Sequence, residues 1–506
     1  MLPVQMLYRG LRVNPDGEAL VDGEVRLSYR HLVARVEAVA SHLQRCLPVP
    51  QTRVGLCAKN NWEHVVAMLG IFASGHVWVP LNPRLPREEL VGIATAANLG
   101  LICSDKQFLS LFDQTGVPLV VGRGSAASLD DIAKICHDNV GSRPEDAAHL
   151  ADRGIMAIKF TGGTTGSPKG VLQPYRAFLS CIASMLTVFG FKQDERFLGI
   201  APLTHGAGTF LLPTMAVGGC TVLLDGAKAP AISETMKREA ITAAFMPPTL
   251  IYSLVDHALA SGDRYQDLRH LIYGAAPMPL ARIKQVQEAF GPCLAAIYGQ
   301  TEAPTMISAI TAAELADEAN VETVGRPCPY NEVRIMGRDG TILADGEAGE
   351  VVVRGDLVMR GYLDRPDLTQ ETIVDGWLHT GDLGQFDRRG YLTLKGRIRD
   401  VIITGGFNVY PADVEAAMSQ HPAVQEVVVI ARSDDYWGER VEAAVVRASG
   451  GRVSEDELIA FAKARLGSVR SPKAVHFLDN LPANAVGKVA RRDVAELVEA
   501  LESRKS

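Results

Sequence analysis

Eleven consecutive residues, Phe160-Thr161-Gly162-Gly163-Thr164-Thr165-Gly166-Ser167-Pro168-Lys169-Gly170, put four glycines, four hydroxyls and one lysine into a single loop. Glycines let backbone N–H groups turn toward an anion, hydroxyls add donors, and Lys169 adds charge. A short Gly/Thr surface loop shares some of these features, but a run this dense reads as a phosphate cradle. It is not a Walker A loop, because Pro168 separates the glycine from the lysine and no Ser or Thr follows Lys169. A second group, Ile297-Tyr298-Gly299-Gln300-Thr301-Glu302, offers a carboxylate that could join phosphate oxygens on a divalent cation, and a ring, Tyr298, that could stack on a base. In Trp377-Leu378-His379-Thr380-Gly381-Asp382, the carboxylate of Asp382 suits a ribose diol. Two further segments complete the set: 396–411, with Gly405-Gly406, and 482–489, with Gly487-Lys488. Taken singly, the last four are weak, since an Asp in a turn is more often structural and a lone lysine is more often solvated.

These groups must be held by ordered elements, and the hydrophobic pattern supplies them. Residues 27–45 carry apolar side chains at helical spacing behind a Ser28 cap. Short Val/Ile-rich runs at 54–57, 77–79, 99–103 and 117–121 alternate with helical stretches such as 61–74. The alternation returns at 220–225, 237–248 and 269–291, which predicts α/β architecture on a largely parallel sheet. From about 320 short strands with Gly turns predict a small antiparallel β unit. Beyond 397 the pattern is mixed α+β, with helices at 411–420, 454–466 and 490–502. The expected organisation is a large N-terminal domain of α/β subdomains plus the β unit, 1–396, and a small mobile α+β domain, 397–506.

Composition narrows the classes. With 51 Lys and Arg against 58 Asp and Glu, the chain has a net charge of −7, so bulk charge gives no support to nucleic-acid binding. None of the eight cysteines forms a CxxC pair, which disfavours a zinc knuckle or disulfide framework and fits reduced, mostly buried thiols in a cytoplasmic enzyme. No signal-peptide pattern opens the sequence. The longest charge-free stretch, 197–224, holds too many glycines and prolines for a membrane span, so no integral membrane association is expected.

In this order and spacing, the five motifs resemble the adenylate-forming superfamily, most closely its bacterial acyl-CoA synthetases of fatty or aromatic acids. The resemblance runs from about Leu27 to Arg492. It implies two half-reactions: a carboxylate attacks the α-phosphate of ATP to give acyl-adenylate and pyrophosphate, and a thiol then displaces AMP. ATP, Mg²⁺ and coenzyme A are the implied cofactors and co-substrates. By this resemblance Thr161, Gly162, Gly163, Thr164, Thr165, Gly166 and Lys169 wrap the β- and γ-phosphates, and Thr161 and Glu302 match the Mg²⁺ positions. Gly274, Ala275 and Ala276, with Tyr298, Gly299, Gln300 and Thr301, match the adenine and α-phosphate surroundings. Asp382 and Arg397 match the ribose pair, Lys488 the catalytic lysine, and Arg399 the hinge. Gly405 and Gly406 match the coenzyme A tunnel, and His205 the residue beside the acid pocket. Two positions depart from the usual pattern, Thr204, commonly aromatic, and Gly163, commonly Ser.

The implied pocket segments, 205–211, 245–250, 274–277 and 298–307, contain no Arg or Lys. That predicts a medium-chain fatty or aromatic monocarboxylate, since an unpaired second carboxylate would lose its hydration there. The partners are then a small carboxylic acid and coenzyme A, with no nucleic acid; a homodimer is one assembly the sequence allows. Loading of a carrier-protein phosphopantetheine is the alternative acceptor chemistry, and luciferase-like oxygenation or a non-catalytic relative are weaker ones. Lys488→Ala is expected to abolish adenylation while largely sparing thioester formation from supplied acyl-adenylate. Separate assays of the two half-reactions check this, and equal losses in both would refute a role confined to the first.

Overall fold

The structure, a computed structural model, describes residues 1–124, 131–161, 168–434, 436–448, 450–482, 489 and 491–503. The glycine-rich stretch 162–167 and Lys488 therefore lie outside the described residues.

Two large sheets carry the N-terminal part. One has nine strands, and its central run is parallel: Glu18–Asp22, Cys220–Leu223, Arg196–Gly199, Ala243–Phe245, His270–Tyr273 and Leu294–Gln300 follow one another across it. The other has seven strands, with Arg53–Cys57 at the centre of a parallel set, closed by the antiparallel strands Lys169–Pro174 and Gly361–Tyr362. Strand–helix alternation produces such sheets because a parallel neighbour needs a crossover connection. Helices Tyr29–Cys46, Trp62–Ala73 and Tyr175–Phe189 share one apolar cluster with residues of both sheets, among them Leu20, Leu56, Trp78, Phe197 and Ile297. The expected Ser28 cap is present, its side chain accepting from the His31 N–H. Elements that the sequence reading did not place include the helices Gln5–Val13 and Tyr175–Phe189 and the strand Glu18–Asp22.

The glycine-punctuated region forms a five-stranded antiparallel sheet around Asn331–Met336, Gly349–Gly355 and Trp377–Phe386, with Leu392–Arg397 paired to the last of these. After a single 3₁₀ turn, Ile398–Asp400, the chain enters another sheet, built from Ile402–Thr404, Phe407–Val409, Val424–Asp434, Gly438–Arg447 and Ala474–Leu478. Its apolar cluster, including Ile402, Val429, Val445 and Leu458, is separate from those of the larger part. Within it Glu442 is fully buried and held by Arg440 and His476. No disulfide joins any of the eight cysteines, and seven of them are buried. Among the described residues, no helix is long and apolar enough to cross a membrane.

One local device aims the site. Leu294–Gln300 pairs antiparallel with Ala303–Ile310, but the register slips between Tyr298 and Gln300. At the slip Gly299 lies so close to the opposite strand that a Cβ would stand 2.5–2.7 Å from the backbone of Thr305, which itself has φ of +60°. A bulge of this kind re-aims side chains next to a site. Gly299→Ala is expected to destabilise the protein by about 1–3 kcal/mol, the range for overpacking, read as a lower urea midpoint; an unchanged midpoint would show that the bulge yields freely.

Candidate active site

In an open α/β sheet a ligand site lies beyond the carboxyl ends of the strands, and Thr161, Tyr273 and Gln300 end three of them. Thr161 ends one strand and lies opposite Lys169, which begins the next, so the two ends of the glycine-rich loop are adjacent. The Lys169 ammonium stands 6.0 Å from the ring centre of Tyr362. The Tyr362 hydroxyl donates to Glu302 Oε1 at 2.7 Å. Burial and this neighbouring carboxylate push the Tyr362 pKa well above its ordinary value, so it stays a donor. Tyr362 was not singled out from the sequence; its strand is two residues long and far along the chain from both partners. The Thr301–Glu302 turn is pinned to the second sheet: Gln173 Nε2 donates to the Thr301 carbonyl at 2.7 Å, and the Met359 N–H to the Glu302 carbonyl at 2.8 Å.

Asp382 and Arg397 face each other across paired strands, with Arg397 Nε 2.7 Å from Asp382 Oδ1. The other oxygen accepts from the Tyr298 hydroxyl at 2.6 Å, and Tyr298 is buried. Burial, then the adjacent carboxylate, raise the Tyr298 pKa well above the ordinary tyrosine value. Tyr298, read from the sequence as a ring for base stacking, also carries a hydroxyl that orients the Asp382 carboxylate. Asp382 is fixed from its own strand too: its N–H donates to Thr380 Oγ1, and Glu350 accepts from the Gly381 N–H and bonds His379 Nδ1. The loop 274–276 follows the strand next to Tyr298, and Ala275 sits in the left-handed region at φ +68°. A non-glycine held there stores backbone strain of the kind found at ligand clamps. Gln300 Nε2 is buried and has no hydrogen-bond partner among the described residues.

His205 is exposed, and its Nδ1 lies 2.8 Å from Thr204 Oγ1. Solvent reaches the ring, yet surrounding protein displaces enough bulk water, with the charges of Lys159 and Arg84 adding, to bring its pKa down to about 4. It is therefore neutral at working pH. The implied pocket segments carry no Arg or Lys of their own, but strand Ile155–Thr161 brings Lys159 up to His205. Two cations that could have entered are engaged elsewhere: Lys237 pairs with Asp263, while Arg282 stacks on Tyr252 and meets Asp256.

Arg399 lies in the 3₁₀ turn between the two parts, its guanidinium 3.6 Å from Asp400, which also faces Arg491. Gly405 and Gly406 form the two-residue turn between Ile402–Thr404 and Phe407–Val409, with φ of +55° and +83°. Such hairpin turns need positive φ at both positions. At Gly405 a Cβ would also collide with the Trp437 ring at 2.7 Å. Glycine here has a local structural reason, beside the one the resemblance implied.

Two family models match the chain: AMP-binding enzyme over residues 7–363 and AMP-binding enzyme C-terminal domain over 413–488. The chain is 35% identical to a medium/long-chain-fatty-acid–CoA ligase of Mycobacterium tuberculosis, covering 97% of this chain and 89% of that one. It is 31% identical to a feruloyl-CoA synthase of Amycolatopsis sp, covering 96% and 97%. Among solved structures, the amide bond synthetase McbA from Marinactinospora thermotolerans superposes with a TM-score of 0.90 at 29% identity, covering 98% and 99%.

Tyr298→Phe removes the hydroxyl that orients Asp382. It is expected to raise the KM for ATP about tenfold, the lower end for a hydrogen bond to a charged group, with the KM for the acid little changed. Steady-state kinetics with each substrate varied check this, and an unaltered KM for ATP would remove Tyr298 from nucleotide binding.

Proposed function

The chain belongs to the AMP-binding enzyme family and is an AMP-forming acyl-CoA synthetase, and on that premise we propose that it activates an aromatic or medium-chain carboxylic acid as acyl-adenylate before passing the acyl group to coenzyme A. The observation that carries this is one connected arrangement. Lys169, Tyr362 and Glu302 stand at one end, and Tyr298, Asp382 and Arg397 at the other, joined through the turn at Gln300–Glu302.

Each group has a task set by its chemistry. The reactants are a carboxylate and a polyphosphate, so their approach is opposed by like charge and catalysis must supply positive charge and donors. Lys169 and the Thr161 hydroxyl are positioned for the terminal phosphates. Asp382 is acceptor-only when ionised and suits the ribose hydroxyls, while Arg397 and Tyr298 hold it in place. Glu302 and Thr161 offer hard oxygens beside the phosphate loop, a donor set that fits Mg²⁺, which when bound would neutralise phosphate charge. Neutral His205 can hydrogen-bond at the acid without adding charge. Lys488, by its motif, bridges the carboxylate and α-phosphate.

The second half-reaction needs a different partner at the same place. A small C-terminal domain joined through the 398–400 turn suits this, with Arg399 as the pivot and Gly405-Gly406 brought to the thiol path; rotation about a few residues is a known hinge device. The ligase relatives support coenzyme A as acceptor, while the amide bond synthetase likeness makes an amine the second acceptor to test.

A pyrophosphate-release screen over fatty, aromatic and dicarboxylic acids, followed by mass spectrometry with coenzyme A, a carrier-protein pantetheine or an amine present, tests this reading. The expected result is pyrophosphate and AMP with at least one acid, and an acyl-CoA thioester as product. No pyrophosphate with any acid, or an amide in place of the thioester, would overturn it.

A further inference from the structure

A lysine stands where the strand Ile155–Thr161 is otherwise almost wholly apolar: Ile-Met-Ala-Ile-Lys-Phe-Thr. Its neighbours Met156 and Ala157 belong to the apolar cluster between the two large sheets. The Lys159 ammonium lies 5.2 Å from the ring centre of Trp78, on the adjacent parallel strand Val77–Pro80. Among the described residues it has no carboxylate partner and no hydrogen bond. The indole Nε1 of Trp78 is likewise buried without an acceptor. Among the described residues, neither of these two donors has an acceptor.

The surroundings show where it opens. Lys159 sits beside Cys181, on helix Tyr175–Phe189. The Cys181 thiol lies 3.2 Å from Thr305 Oγ1, the residue swung inward by the bulge at Gly299. Thr305 Oγ1 lies 3.5 Å from Thr209 Oγ1, which donates to the Gly206 carbonyl at 2.5 Å. Gly206 packs next to Phe245, whose ring continues a stack with Phe210 and Phe197. Thr209, Gly206, Phe245 and Thr305 all belong to the implied acid pocket, so Lys159 adjoins it from the side of the second sheet. Part of the lysine's surface stays accessible, although protein encloses its ammonium closely enough for burial to bring its pKa down to about 8. It remains mainly protonated at neutral pH, an ammonium with its counter-charge missing.

A desolvated cation without a partner costs stability, and cation–π contact with one indole returns only part of that. Such a group is kept where a ligand completes it. We propose that Lys159 is a specificity-determining residue of the acid pocket, receiving an acceptor oxygen carried by the acid at a position away from the reacting carboxylate. The preferred acids are then oxo-acids, phenolic acids or dicarboxylates rather than plain hydrocarbon acids. The inference rests on the acid-activating function proposed above and names the substrate class of that site. Arg84, exposed near His205, is a solvated charge at the mouth and does not substitute for it.

The test uses the full chain, as wild type, Lys159→Met and Lys159→Arg. Pyrophosphate release is measured with two matched sets: hexanoate, 5-oxohexanoate and adipate; cinnamate, 4-hydroxycinnamate and 4-carboxycinnamate. In at least one set, the wild type is expected to use an oxygen-bearing acid at least about tenfold more efficiently than the plain acid, by kcat/KM. Lys159→Met should collapse that ratio to within about twofold, and Lys159→Arg should keep its direction. Lys159→Met should also raise Tm, because an unpaired cation is replaced by an apolar chain of similar length. A wild type that favours the plain acids overturns the proposal. So does a Lys159→Met variant that loses activity equally on all six, which would place the lysine on the reacting carboxylate. A lowered Tm with unchanged ratios assigns it a structural role and also overturns the proposal. If Lys159→Met does not fold, the ratios in Lys159→Gln decide. Absence of pyrophosphate with every acid, by contrast, overturns the ligase function itself.

Discussion

The Asp382 carboxylate is the constraint on which the site depends. It accepts from Tyr298, which belongs to the nine-stranded sheet, and pairs with Arg397 on the next strand of the five-stranded sheet. Buried ions persist only when paired and hydrogen-bonded, so this carboxylate fixes the relative position of its two partners as firmly as they fix it. Arg397 is also the last residue before the 3₁₀ turn that leads into the C-terminal sheet. The Asp382–Arg397 pair and the turn that leads into the C-terminal sheet are thus joined directly through the backbone of Arg397.

Charge is distributed against the chain's average. The chain's net charge is −7, yet Lys169 and Arg397 stand among the candidate site residues and the nearby His205 is kept neutral. This follows from the reaction: two anions must meet, and each fixed cation or donor lowers the work of bringing them together. The carboxylates in the same place, Glu302 and Asp382, are each held by a tyrosine hydroxyl whose own pKa is raised, so neither tyrosine competes as an anion. The arrangement is preorganised by hydrogen bonds that cross between sheets, which is why its members lie far apart in the chain.

Much of this was legible in the sequence. Helix Tyr29–Cys46 with its Ser28 cap, the alternation of parallel strands with helices, and the antiparallel unit after 320 follow from local periodicity and turn residues, which act over a few positions. The pairing of Asp382 with Arg397 was legible only through resemblance, since nothing local in either motif requires the other. The register slip at Gly299 was not, because a bulge is a property of two strands and only one is visible in a motif.

The residues by themselves determined the chemistry on offer: a loop able to cradle phosphates, hard oxygens for a cation, and a separate terminal segment carrying Lys488. Tertiary structure decided what faces what. Tyr362 reaches Glu302 and Lys169 only because a two-residue strand closes the edge of the second sheet. The implied pocket segments contain no Arg or Lys of their own, but Lys159 comes up to His205 from the strand before the glycine-rich loop. The physical reason is the two-residue period of a strand: it sets which side chains share a face, but only the packing of helix Tyr175–Phe189 and the bulged Thr305 decides what that face encloses.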